Sequence, residues 1–228
     1  MIVIGITGGV GCGKSSLLSY IEEHYNARIL LADEAAHEVQ EPGTDCYHKL
    51  VELLGRGILA EEEPAGAKEP DSAEETGGAE ETGGAEASEP PIDRKKMAAA
   101  IFGDPELLAA VNGLIHPAVR EMIEAEIEKE RAAGVRDFFF VEAALLIECG
   151  YDEVVDEMWY IYCDPDERRR RLKASRGYSD EKIDSILKNQ LSHEAFLAGT
   201  DVMIDNSGTP QESFAAIDRE MARLMPKR

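Results

Sequence analysis

The chain has 228 residues, 43% of them hydrophobic, enough for one α/β domain carrying a modest insert. Its 24 basic residues against 46 acidic ones give a formal charge of −22 with no evident basic face, which argues against nucleic acid as a partner. No apolar run reaches transmembrane length, and Cys12, Cys46, Cys149 and Cys163 are scattered without a C-x-x-C pair or metal-ligand spacing, so a soluble, cytoplasmic protein with reduced thiols and no membrane partner is expected.

The first element is Ile2-Val3-Ile4-Gly5-Ile6, a buried strand that starts the chain and leaves no room for a signal peptide. Gly8-Gly9-Val10-Gly11-Cys12-Gly13-Lys14-Ser15 follows and matches the phosphate-loop pattern G-x-x-x-x-G-K-[ST]. Leu17, Leu18, Ile21 and Tyr25 then recur at helical spacing. Glycines let backbone N–H groups curl around phosphate oxygens, and the following helix N-terminus favours an anion. In that geometry Lys14 reaches the β- and γ-phosphates and the Ser15 hydroxyl holds Mg²⁺. The alternative is a glycine-rich turn without function, but strand, turn and helix together point to a nucleoside triphosphate. Cys12 is either a redox-sensitive thiol or a filler of the loop.

Residues 28–32 read as a second core strand ending at Asp33, and 34–54 as mostly helical with a break at Pro42-Gly43. Residues 60–91 differ in kind. Ala-Glu-Glu-Thr-Gly-Gly occurs twice in tandem at 73–78 and 79–84, and the segment has no Leu, Ile, Val or aromatic residue. Eleven acids against Lys68 alone give it −10 of the total charge. Nothing in it offsets ordering entropy, so it is expected to be a disordered acidic loop, a solvated insertion rather than a partner site.

Order resumes at Ile92-Asp93-Arg94-Lys95-Lys96, with helical spacing through Phe102, Leu107, Val111, Leu114 and Ile115. His116-Pro117 is expected to open a new amphipathic helix over 118–133, closed by Gly134. Phe138-Phe139-Phe140-Val141 ending in Glu142, residues 159–163 ending in Asp164, and Val202-Met203-Ile204 ending in Asp205-Asn206 complete a set of five strands. Phe214, Ile217, Met221 and Leu224 mark a last helix. Strands alternating with helices predict a five-stranded parallel sheet covered on both faces, with ligands beyond the carboxyl ends of the strands. Thr7, Asp33, Glu142, Asp164 and Asn206 all fall there.

No N-K-x-D base-reading motif is present, which leaves a small-molecule kinase ahead of a guanine-specific switch. Asp33 can face a γ-phosphate and orient or deprotonate an acceptor hydroxyl; it can equally cap the helix after it. Glu142 can contact Mg²⁺ through water or be a solvent-facing strand end. Asp164-Pro165-Asp166-Glu167 has the form of a helix start, and the arginines at 168–171 that follow point about 100° apart, so one or two of the four can face a nucleotide. Ser179 starts a second arm with Ile183, Ile186, Leu187 and Leu191, giving a lid over about 165–192.

Read together, Thr7 to Ser15, Ala32-Asp33, Ile92 to Lys96, His116-Pro117-Ala118-Val119-Arg120, Leu145 to Glu148, Arg171-Leu172, Gln190 and Asp201 to Gly208 closely resemble the dephospho-CoA kinase family. The matches run in the family's order and cover nearly the whole chain outside 60–91. The resemblance implies a P-loop NTPase fold and transfer of the ATP γ-phosphate to the ribose 3′-hydroxyl of dephospho-CoA. It implies a core of 1–33 and 119–228 with a mostly helical CoA-binding insert over 34–118. Asp33, Lys14 and the lid arginine Arg171 are then catalytic. Gly11, Cys12, Gly13, Lys14, Ser15, Ser16 and Asn206 belong to the ATP site, and Thr7, Asp33, Arg94 and His116 to the dephospho-CoA side. The chain departs from the family in having Leu31 for a first acid, Ala144 for a proline and Ser175-Arg176 for Arg-Asp. A kinase for another small acceptor, such as a nucleoside monophosphate, and a non-catalytic nucleotide-binding module acting through the acidic loop are the alternatives.

Overall fold

A computed structural model describes residues 1–61 and 89–225. Residues 62–88, which hold most of the acidic segment, and 226–228 lie outside it. The chain divides into two compact units, Met1–Ala35 with Val119–Arg228, and Ala36–Ala118.

The first unit is built on a parallel sheet of β1 (Ile2–Thr7), β2 (Ala27–Leu31), β3 (Phe138–Glu142), β4 (Glu157–Tyr162) and β5 (Val202–Asp205) in the order β2-β3-β1-β4-β5. The five-stranded parallel sheet expected from the alternation is therefore present. The central strands are apolar on both faces because both are covered: Ile4, Ile6, Phe139, Phe140, Trp159 and Ile161 are fully buried. Two helices pack on one part of this core through Leu17, Leu18 and Ile21 of α1 (Lys14–His24) and Ile217 and Met221 of the C-terminal helix Pro210–Leu224. The chain leaves β1 toward the β2 edge but leaves β3 toward the β5 edge. Such a switch between neighbouring strands opens a crevice at their carboxyl ends.

α2 (Ala32–Glu38) begins directly after β2, and α3 (Asp45–Leu54) is capped by Thr44, whose hydroxyl accepts from the Tyr47 N–H at 3.1 Å. In the second unit Tyr47, Ile58 and Leu59 form a small core with Val51, Leu54, Ile92 and Met97 against it. Leu59 and Ile92 pair antiparallel, and the Ala60 N–H donates to the Pro91 carbonyl at 2.9 Å, so the two ends of the acidic segment meet. Asp93 caps α4 (Arg94–Ile101) by accepting from Lys95 and Lys96.

The break expected at His116-Pro117 is not there. α5 runs unbroken over Pro105–Ala133, with Pro117 inside it. Proline removes only its own hydrogen bond to the carbonyl four residues back. Here that residue is Gly113, and Val111 and Ile123 are buried on either side of the proline. Tertiary burial of the helix outweighs one lost bond.

Candidate active site

The crevice of the first unit is a cleft of about 780 Å³ lined by the glycine loop, Lys14, Ser15, Ser16, Asp33, Glu142 and one face of α6 (Pro165–Arg176). That volume is ample for a nucleotide. Its floor is set by the start of α1. Gly13 occupies the N-cap position in the left-handed region (φ 86°), where an L side chain is strained, and no side chain caps the helix. The other helices over Asp45–Leu54, Arg94–Ile101, Pro105–Ala133, Pro165–Arg176, Asp180–Lys188, His193–Ala198 and Pro210–Leu224 each have a Ser, Thr or Asp side chain on the first-turn amides. The first-turn N–H groups of α1 are thus left facing the cleft, a ready anion site.

Lys14 is fixed at this floor. Its Nζ donates to the Gly8 carbonyl at 2.7 Å and stands 3.3 Å from Glu142 Oε1, with both side chains largely buried (12% and 17% exposed). Glu142 is therefore turned to the cleft and the lysine. Ser15 and Ser16 are exposed on the same lining. Asp33 lies in the first turn of α2, because the helix begins at Ala32, two residues before the helical stretch expected from residue 34. Its carboxylate is exposed to the cleft and has no hydrogen-bond or ion-pair partner among the described residues. The capping alternative for Asp33 falls with that.

The arginines at 168–171 separate as helix geometry requires. Arg169 pairs with Asp180 at 2.8 Å and with Asp184, both on α7 (Asp180–Lys188), and Lys173 joins Asp180 at 2.8 Å. Arg170 and Arg171 both hold Glu167, at 2.6 and 2.7 Å. Hydrogen bonds from Arg170 and then Arg171 pull the Glu167 carboxyl down to about 2. Arg171 lines the cleft, its Nη1 3.5 Å from where a side-chain carbon on Gly13 would stand. Arg170, Ser175 and Arg176 line it too.

Three expected contacts sit differently. Asn206 is buried, donating from Nδ2 to the Cys12 carbonyl at 2.7 Å and accepting from Ser213 Oγ at 2.7 Å. It braces the loop from behind rather than lining the cleft. Thr7 is fully buried and its hydroxyl donates to the Ala144 carbonyl at 3.3 Å, so it ties β1 to the turn after β3. Cys12 points into the core; burial raises its thiol, and its backbone N–H turns back to the Gly9 carbonyl at 3.2 Å. It fills space. Gly11 and Gly13 line the cleft, whereas Arg94 and His116 belong to the second unit, exposed on α4 and α5.

A parallel sheet in this order, with a glycine loop, a lysine and an open helix start at its switch point, defines the P-loop kinase class of α/β proteins. The sequence profile of the dephospho-CoA kinase family matches residues 2–67 and 87–212. A dephospho-CoA kinase of Geobacter sulfurreducens is 34% identical over 226 residues, covering 99% of this chain and all of the relative. The fold is shared with a crystal structure from Thermus thermophilus (TM-score 0.71, 24% identity, 99% of this chain and 98% of that one). It is also shared with a dephospho-CoA kinase from Campylobacter jejuni (TM-score 0.64, 20% identity, 98% of both chains). The chain belongs to the dephospho-CoA kinase family.

Proposed function

We propose that this protein transfers the γ-phosphoryl group of ATP to the ribose 3′-hydroxyl of dephospho-CoA, releasing CoA and ADP. One observation carries the reading beyond family membership: an unpartnered carboxylate, Asp33, shares a single cleft with Lys14 and the open start of α1. The triphosphate lies against the first-turn amides of α1 with Lys14 at its β- and γ-phosphates. The acceptor oxygen attacks the γ-phosphorus while the bond to the β,γ-bridging oxygen breaks and ADP leaves with the electron pair. The hydroxyl proton passes to Asp33 and on to water. Arg171, beside Gly13, offsets negative charge on the transferring group.

The donor set suits Mg²⁺ brought in on the triphosphate. The cleft offers the Ser15 hydroxyl and the Glu142 carboxylate, and no group of three or more His, Cys, Asp or Glu among the described residues forms a metal cage. That is what an ion keeping several waters and phosphate oxygens needs. When bound, it neutralises charge on the β- and γ-phosphates, and Ser15 is its protein ligand. On the acceptor side, the helices of the second unit bear Arg94 and His116, which serve dephospho-CoA, and the hairpin of α6 and α7 is the lid. No helix among the described residues is long and apolar enough to cross a membrane; a cytoplasmic location completes the reading.

The test is ADP release from Mg-ATP with dephospho-CoA, with AMP, or without an acceptor. Release specific to dephospho-CoA, with CoA as product, is the expected result. Release with AMP alone, or none with any acceptor, overturns it.

A further inference from the structure

Among the four consecutive arginines, Arg168 is the one whose charge meets no carboxylate among the described residues. Its neighbours are neutralised: Arg169 by Asp180 and Asp184, Arg170 and Arg171 by Glu167. Arg168 instead spends its donors on neutral oxygens. Its Nε donates to the Val10 carbonyl at 2.8 Å, inside the glycine loop, and its Nη2 donates to the Gln190 amide oxygen, just beyond the end of α7. The guanidinium fills the space a side chain on Gly9 would occupy, so Gly9 is the residue that lets it approach. It is half-buried, and burial holds it below the ordinary arginine value, yet arginine stays charged in proteins. A partly desolvated cation without a counter-ion is costly unless an anion serves it.

We infer that Arg168 is a positioning residue for the phosphate site: it ties the Gly9–Val10 stretch of the loop to Gln190 at the base of the lid's second arm and leaves its positive charge for the phosphates of the nucleotide. The bridge makes loop shape and lid position depend on one planar fork. Lysine cannot reproduce it, because an ammonium is a point charge without two divergent N–H groups. The inference rests on nucleotide binding in this cleft but not on which acceptor is phosphorylated.

The experiment is ATP and ADP binding by calorimetry on the full chain without acceptor, for wild type, Arg168→Gln, Gln190→Ala and the double variant, with a thermal scan of each. Arg168→Gln is expected to weaken ATP binding by about tenfold or more, as loss of charge-assisted hydrogen bonds does. The loss should shrink as salt rises, because it is electrostatic. Gln190→Ala should weaken binding less, and the double variant should fall short of the product of the two single effects, the mark of coupled groups. Should Arg168→Gln not fold, Arg168→Lys replaces it, with a smaller loss expected and the same coupling to Gln190→Ala. Affinity within about twofold of wild type, or single effects that multiply, overturns the inference. A chain that binds ATP through Arg168 but leaves dephospho-CoA unphosphorylated would sink the proposed activity and leave this bridge standing.

Discussion

Replacing Lys14 with alanine removes the ammonium that bridges the Gly8 carbonyl and Glu142, and leaves that carboxylate without its cation at the floor of the cleft. We expect kcat/KM for ATP to fall about 10³-fold, near 4 kcal/mol of transition-state stabilisation, in steady-state assays. Asp33→Asn should act otherwise. Its carboxylate is exposed and unpartnered, so the fold loses nothing, and kcat should drop far more than affinity for ATP. An unchanged turnover number would remove Asp33 from the acceptor site. At this scale the sequence revealed the residues whose chemistry is local. The pattern from Gly8 to Ser15 needs only its own turn. Asn206 and Thr7 were placed at strand ends correctly, but whether a strand-end side chain faces the ligand or the core depends on a neighbour far along the chain. For Asn206 that neighbour is the Cys12 carbonyl, and for Thr7 the Ala144 carbonyl. Arg168 was hidden in a charge run. Leu172 gave the available clue: it is buried, contacts Gly11, and lies one turn after Arg168 on the same helix face.

Elements whose ends carry their own signals were legible in detail. Asp164 with Pro165, Ser179, and Thr209 with Glu212 all form the caps that such residues favour, and the last is a full capping box. Pro117 misled because a local breaker was weighed without the burial of Val111, Val119 and Ile123 that holds α5 together. Ties between elements are a matter of tertiary pairing. At the far end of the C-terminal helix, Arg223 grips Glu157 at the start of β4 with a two-pronged contact of 2.6 and 2.7 Å, and Trp159 Nε1 adds a third bond at 3.1 Å. Arg223, ahead of an opposing burial effect, lowers the Glu157 carboxyl below its ordinary value. A carboxyl depressed in the folded state stabilises fully above its unfolded value of about 4.3, and that stability is lost as pH falls through the folded value. Glu157→Gln should therefore reduce Tm at neutral pH and flatten the acid limb of Tm against pH below about 4.3. Identical slopes in the two proteins would exclude the pair from acid unfolding.

The whole chain combines an ordinary kinase frame with an extraordinary charge, and much of that charge is set aside. The family profile passes over the stretch between 67 and 87, where the tandem repeat lies. The flanks are joined already, by the Leu59–Ile92 pairing and by the Asp93 N–H donating to the Ile58 carbonyl at 2.8 Å. A short turn can therefore replace the segment. Deleting 62–89 should leave dephospho-CoA turnover largely intact and raise stability slightly, by about 2 kcal/mol from the shorter loop closure. Loss of most turnover would give the acidic repeat a role in catalysis. The open start of α1 has a different consequence. Among the described residues seven other helices complete their first turn with a covalently attached oxygen; this one completes it with a diffusible one. Occupancy and folding are then linked, and a nucleotide at a hundred times its dissociation constant adds about 2.7 kcal/mol to the folded state. Melting temperature should climb with the logarithm of ATP concentration, so that the protein is sturdiest in a well-energised cell and most exposed to proteolysis when nucleotide runs low.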